Sequence, residues 1–110
     1  MTKFILLYNG PATPAEKMTK EQMDEVMAGW SKWMDKNKDT IVDIGLPMAN
    51  GKAIVDDGSK KDALELSGYT IIQADDMNGA LDIAEDHPFL SDKSGKFSVE
   101  VFELMPMPEM

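Results

Sequence analysis

At 110 residues, with 43% hydrophobic and 28% charged side chains, the chain has the length of one domain and a composition far from that of disordered segments. Folding at this length buries roughly two thirds of the surface that the unfolded chain exposes, enough for one core. A formal net charge of −9 sets the chain against nucleic-acid backbones and anionic membranes, and the lack of any cysteine excludes disulfides, thiolate metal sites and thiol nucleophiles.

The first run, Lys3 to Tyr8, is nearly continuously apolar and is stopped by Asn9-Gly10-Pro11, the pattern of a central strand buried on both faces. Its five apolar or aromatic residues in a row are too few for a signal-peptide core or a membrane span, so a cytoplasmic location is expected. Pro11 and Pro14 keep the next stretch extended until Thr19, whose hydroxyl caps a helix while Gln22 reaches back to complete a capping box. From that cap Met23, Val26, Met27, Trp30, Trp33 and Met34 fall on one helical stripe, with Glu21, Asp24, Glu25, Lys32 and Asp35 off it. The two tryptophans can be read as a stacking platform for a ligand or as core; the stripe favours core, and the methionines on it fill gaps there.

Ile41 to Leu46 alternates as a second strand ended by Pro47, with Val42, Ile44 and Leu46 on one face and Ile41, Asp43 and Gly45 on the other. Asn50-Gly51 is a tight-turn dipeptide, and Lys52 to Val55 reads as a strand returning beside the second in a hairpin. The polar stretch from Asp56 to Asp62 is expected to be an exposed loop. Tyr69 to Ala74 is a further strand; Asp75 or Asp76 then caps a second helix carrying Met77, Ala80, Leu81 and Ala84 on one face and stopped by Pro88. The last strand, Phe97 to Leu104, places Phe97, Val99 and Val101 opposite Ser98, Glu100 and Phe102, and the tail from Met105 to Met110 is expected to fray.

These elements define the expected fold class: α+β, a ferredoxin-like β-α-β-β-α-β antiparallel sheet with two helices on one face, in one domain over residues 1–110. The other face would carry Ile41, Phe102 and one side of the first strand, and pairing two such sheets face to face would cover it and enclose a cavity. A homodimer is therefore expected.

The blocks Lys3-Phe4-Ile5-Leu6-Leu7-Tyr8-Asn9-Gly10-Pro11-Ala12-Thr13-Pro14, Gly68-Tyr69-Thr70-Ile71-Ile72-Gln73-Ala74, Asp86-His87-Pro88-Phe89-Leu90 and Val99-Glu100-Val101-Phe102-Glu103-Leu104 resemble the YCII-related family of bacterial dimeric α+β barrel proteins. The resemblance runs over nearly the whole chain and implies that fold. Members with known chemistry act as cofactor-free lyases on chlorinated ring-cleavage products, using a histidine and aspartate pair with the histidine near the first helix. This chain has no histidine there; its only one is His87.

His87 sits at the end of the second helix, where an imidazolium could donate to the last free carbonyls or serve as an acid or base. Asp43 and Glu100 each interrupt an apolar strand and, by alternation, point away from the helices into the expected cavity, where a carboxylate could act as a general base or ligand anchor. An exposed sheet edge is the other reading for Asp43, where its charge would discourage edge-to-edge pairing. Tyr8 and Tyr69 are candidates to bring hydroxyls to a ligand. No Walker loop, GxGxxG, HExxH or GxSxG occurs, and Asp56-Asp57-Gly58 with Asp62 lacks calcium-loop spacing, so neither metal nor cofactor is expected.

Two functions follow from these residues. One is a cofactor-free lyase or isomerase acting on a small organic acid or lactone, with Asp43, Glu100 or His87 moving protons. The other is a non-catalytic dimeric module that holds a small ligand or serves a partner, which the net charge of −9 favours because it repels anionic substrates.

Overall fold

A computed structural model describes residues 1–10, 19–90 and 95–106. Strands β1 (Thr2–Asn9), β2 (Ile41–Asp43), β5 (Leu66–Ala74) and β6 (Ser98–Leu104) form an antiparallel sheet in the order β2-β5-β1-β6, with α1 (Lys20–Lys36) and α2 (Met77–Glu85) in the connections. This is the ferredoxin-like α+β arrangement expected from the sequence. Two short strands, β3 (Lys52–Ile54) and β4 (Lys60–Asp62), pair only with each other. The stretch around Pro11 and Pro14, expected to be extended, and the end of the tail, 107–110, lie outside the described residues.

Local chemistry sets the helix starts. Thr19 accepts from the Gln22 backbone N–H at 3.1 Å while the Gln22 side chain accepts from the Thr19 backbone N–H at 2.9 Å, so two otherwise unpaired donors are satisfied reciprocally. Asp76, rather than Asp75, caps α2 by accepting from Gly79 N–H at 2.9 Å. Beyond α2 the chain makes a single 3-10 turn, Pro88–Leu90.

The core lies between the helices and one face of the sheet. Phe4, Leu6 and Tyr8 of β1, Ile72 and Ala74 of β5, Trp33 of α1 and Ala80 and Ala84 of α2 are all buried. Trp33 also donates its indole N–H to the Ile83 carbonyl at 3.0 Å, tying α1 to α2.

Four expectations are corrected. First, β1 is not equally buried on both faces: Ile5 and Leu7 alternate with the buried set and stay half-buried, because among the described residues no element covers their side. Second, β2 is three residues long and bulged. Ile41 stands opposite Ile72 and Asp43 opposite Ile71, so two steps along β2 match one along β5. The bulge separates two residues that strict alternation places together: Ile41 packs against the helix-side core, and Asp43 alone turns to the open face.

Third, Lys52–Ile54 does not return beside β2, and the expected loop contains a strand. Asp57 accepts from both the backbone and the hydroxyl of Ser59, at 2.9 and 2.7 Å, and Val55 N–H bonds the Ser59 carbonyl at 2.7 Å. With Gly58 at φ +92° this closes a tight local turn, and a short loop costs less closure entropy than pairing with β2. Fourth, the apolar stripe of α1 is core only in its second half. Trp33 is 3% exposed, whereas Met27 is 68% exposed, with Met23 and Val26 also open.

Candidate functional site

The exposed half of the α1 stripe does not face open water alone. Val26, Met27, Trp30 and Met34 form one wall of a cavity of about 320 Å³ on the helix side of the sheet. The segment Ile44 to Pro47 forms the second wall, the start of β5 from Ser67 to Tyr69 the floor, and Tyr8 and Phe89 the inner end. No charged residue lines it among the described residues.

The second wall depends on one glycine. At φ +78° Gly45 adopts a backbone conformation that L side chains rarely take, and a Cβ there would overlap the carbonyl oxygen of Tyr69. Asp43 accepts from Gly45 N–H at 2.9 Å and so fixes the turn from its exposed end. After the turn Pro47 bridges Gly68, returning the chain to the edge of β5.

Tyr8 sits at the inner end with its hydroxyl bonded to Thr70 Oγ1. Thr70 commits its own proton to the Ile44 carbonyl at 2.8 Å, so the Tyr8 hydroxyl is the donor in the pair. Burial pushes the phenol up to about 12, against the opposing pull of the Thr70 hydrogen bond, and Tyr8 is a neutral group at physiological pH.

Behind Tyr8 lies His87, 2% exposed. Ring centroids of Tyr8, Trp30 and Trp33 stand 4.7, 4.4 and 4.4 Å from its own, a cage of three aromatic side chains. Burial pushes the imidazole down to about 4, so it is neutral at pH 7. The expected helix cap is therefore corrected: the ring donates to no carbonyl at the end of α2, and instead Nδ1 accepts from Phe89 N–H at 3.0 Å. Desolvation by the aromatic cage outweighs the attraction of the helix C-terminus for a cation.

The two acidic candidates stand elsewhere. Asp43, opposite Ile71, and Glu100, opposite Leu7, both face the open side of the sheet, as alternation implied. They occupy the two outer strands of the four, three inter-strand spacings across and two residues along, roughly 16 Å apart, and do not meet within one protomer. Asp43 is exposed; Glu100 is half-buried and takes a long 3.5 Å contact from Asn9 Nδ2. Tyr69 is opposite Leu7 and so projects to the open face, touching the cavity at its floor. The structure thus groups Tyr8 with His87 on one side of the sheet and Asp43 with Glu100 and Tyr69 on the other.

Trp30, Phe89, Val26 and Met27 belong to the cavity and were not among the sequence candidates. The available signal was the pair of tryptophans on one stripe: Trp33 satisfies the core reading, while Trp30 is half-buried, packs at the edge of the core and lines the cavity, as a stacking platform would.

A ferredoxin-like sheet, two helices on one face and an apolar cavity beneath the first helix place the chain among small α+β proteins of this topology. Over residues 1–105 it matches the YCII-related domain, and it belongs to the YCII-related family. No curated protein shows significant similarity to it. Among solved structures, 5-chloro-2-hydroxyhydroquinone dehydrochlorinase (TftG) from Burkholderia phenoliruptrix AC1100, in complex with 2,5-dihydroxybenzoquinone, superposes with a TM-score of 0.55 at 17% sequence identity, over 94% of this chain and 93% of its own. At that identity the likeness shows the fold.

Proposed function

We propose that this protein holds a small, uncharged organic molecule in the helix-side cavity and works as a homodimer joined through the open face of its sheet. The cavity carries the reading: about 320 Å³, apolar and aromatic walls, and no charged lining residue among those described. Ligand sites of this kind are concave and mostly apolar with a few placed polar groups, and 320 Å³ lies at the small end of their range. TftG, which shares the fold, is in complex with a one-ring molecule, and this supports a ligand of similar size.

For the homodimer, support comes from Ile5, Leu7, Ile71, Phe102 and Leu104, which face one side of the sheet without cover among the described residues. Among those residues, too, no helix is long and apolar enough to cross a membrane.

Within this reading the non-catalytic binding module needs nothing further, and the geometry of one protomer favours it. A cofactor-free lyase or isomerase requires a group that moves a proton at the ligand. Asp43 and Glu100 stand on the opposite face, away from the cavity, and of the three candidates only His87 lies on its side, behind Tyr8 and Trp30. A cavity without a cation favours a lactone or another neutral ring over an organic acid.

The test is a titration of the full chain with γ-valerolactone and with its ring-opened hydroxy acid, followed by tryptophan fluorescence and by NMR of the added compound. The lactone should bind and quench Trp30, with the response lost in Trp30→Phe, and the acid should not bind. Binding of the acid in preference to the lactone overturns the neutral-ligand reading. Turnover of the lactone, lost in Asp43→Asn or Glu100→Gln, selects the enzyme.

A further inference from the structure

His87 treats its two ring nitrogens differently. Nδ1 accepts from Phe89 N–H, so the single proton of the neutral imidazole sits on Nε2. That Nε2–H is fully buried and has no acceptor among the described residues. Native interiors leave few donors unpaired, because a buried polar group loses its water without replacement. The faces of the neighbouring rings are acceptors of second-order strength only.

The ring that carries the unpaired donor lies one side chain away from the cavity. Tyr8, Trp30 and Phe89 each touch His87 and also line the cavity. Of these, Tyr8 is buried and bonded through its hydroxyl to Thr70, and Phe89 is bonded through its backbone to His87. Trp30 is half-buried, is held by edge contacts to the Tyr8 and His87 rings, and its indole N–H has no partner among the described residues, whereas that of Trp33 is bonded to Ile83.

We propose that Trp30 turns aside when a ligand binds, that the cavity then reaches His87, and that the ligand taken there is an uncharged carbonyl compound whose oxygen accepts from Nε2–H. This rests on the cavity being the ligand site. A carbonyl oxygen only accepts, which is what the imidazole lacks. A hydroxyl would bring a proton of its own into a wall with little to receive it, and a carboxylate would bring a charge beside a neutral ring and no lining cation. The depressed basicity of His87, caused by its burial, agrees with a neutral donor.

One histidine in the chain means one set of imidazole signals, so the full-length ¹⁵N-labelled protein reports on this atom directly. The probes are cyclohexanone and methylenecyclohexane, alike in shape and differing by an oxygen for a CH₂. Cyclohexanone should move the His87 Nε2–H resonance downfield while methylenecyclohexane binds without doing so. In His87→Phe, which keeps a ring in the cage, the preference for the ketone over the hydrocarbon should fall by about 3- to 10-fold, the worth of one neutral hydrogen bond. If both probes bind, the resonance stays still and the preference is unchanged in the variant, the inference is overturned and the cavity reading stands. If neither binds, the cavity reading falls and takes the inference with it. Should His87→Phe not fold, the resonance of the unaltered protein decides alone.

Discussion

One strand, β1, shows two environments side by side. Phe4, Leu6 and Tyr8 are sealed beneath the helices, while Ile5 and Leu7, interleaved with them and just as apolar, stay half-buried on a face that no described element covers. A continuous apolar run asks for two covers, and two helices of this length supply one. The hydrophobic pattern of a strand therefore records the faces that are covered in the working assembly, which can be more than one protomer covers. The two sides also differ in chemistry. The covered side holds the neutral polar pair Tyr8 and His87 and a ligand-sized cavity; the open side holds the carboxylates of Asp43 and Glu100 around an apolar centre.

The sharpest way to break the comparison is to truncate adjacent leucines. Leu6→Ala should cost about 2–5 kcal/mol of unfolding free energy, because it opens a void in a filled core. Leu7→Ala should cost roughly 1 kcal/mol at protein concentrations where the chain is monomeric, since its side chain is only half-buried. Urea unfolding of both variants at low micromolar concentration decides it, and equal losses would erase the distinction between the faces.

Titration probes the covered side alone. The imidazole of His87 falls from 6.5 to about 4 on folding, so between those values the unfolded chain binds a proton that the folded chain does not. Stability is then full above pH 6.5 and declines as pH falls toward 4, by a total on the order of 3 kcal/mol from this group. Carboxylates titrate near the lower end of the same window, so the readout is the difference between the original protein and His87→Phe, measured by urea unfolding from pH 7 to 4.5. The variant should follow the flatter curve; parallel curves would mean that the ring is not desolvated as described.

On the open side, substitution should leave the fold almost untouched. Phe102 is 51% exposed, and Phe102→Lys should change the stability of the monomer by less than about 0.5 kcal/mol. The same change puts a charge in the middle of the face proposed for the second copy and should convert the proposed dimer to a monomer in light-scattering chromatography. A variant that remains dimeric would move the interface elsewhere.

Much of the architecture was legible because it is written locally. The Thr19 and Gln22 capping box, the alternation of β6 and the stop at Pro88 each depend on neighbours within a few residues. Partner choice is not local. Lys52–Ile54 looks equally able to pair with β2 or with β4; the Asp57-Gly58 dipeptide that decides it was visible, but as part of a polar stretch it read as loop. Strict alternation fails between Ile41 and Asp43, because a bulge leaves no mark in so short a run. For the candidate site, Tyr8 was legible as a residue of interest and the facing of Asp43 and Glu100 was anticipated. The seclusion of His87 was not, since it requires residues 8, 30 and 33 to converge on one ring.

The bridge between Pro47 and Gly68, extended by the Met48 N–H bond to the Ser67 carbonyl at 3.1 Å, closes the stem below β3 and β4 before either begins. Beyond that clasp, β3 and β4 hang from the sheet as a self-paired appendage and contribute no strand to it. Its length is thus under little architectural constraint. Descendants of this sequence can lengthen, shorten or replace the span from Ala49 to Leu64 without renegotiating the sheet, and a protein engineer has the same freedom to graft a foreign loop there.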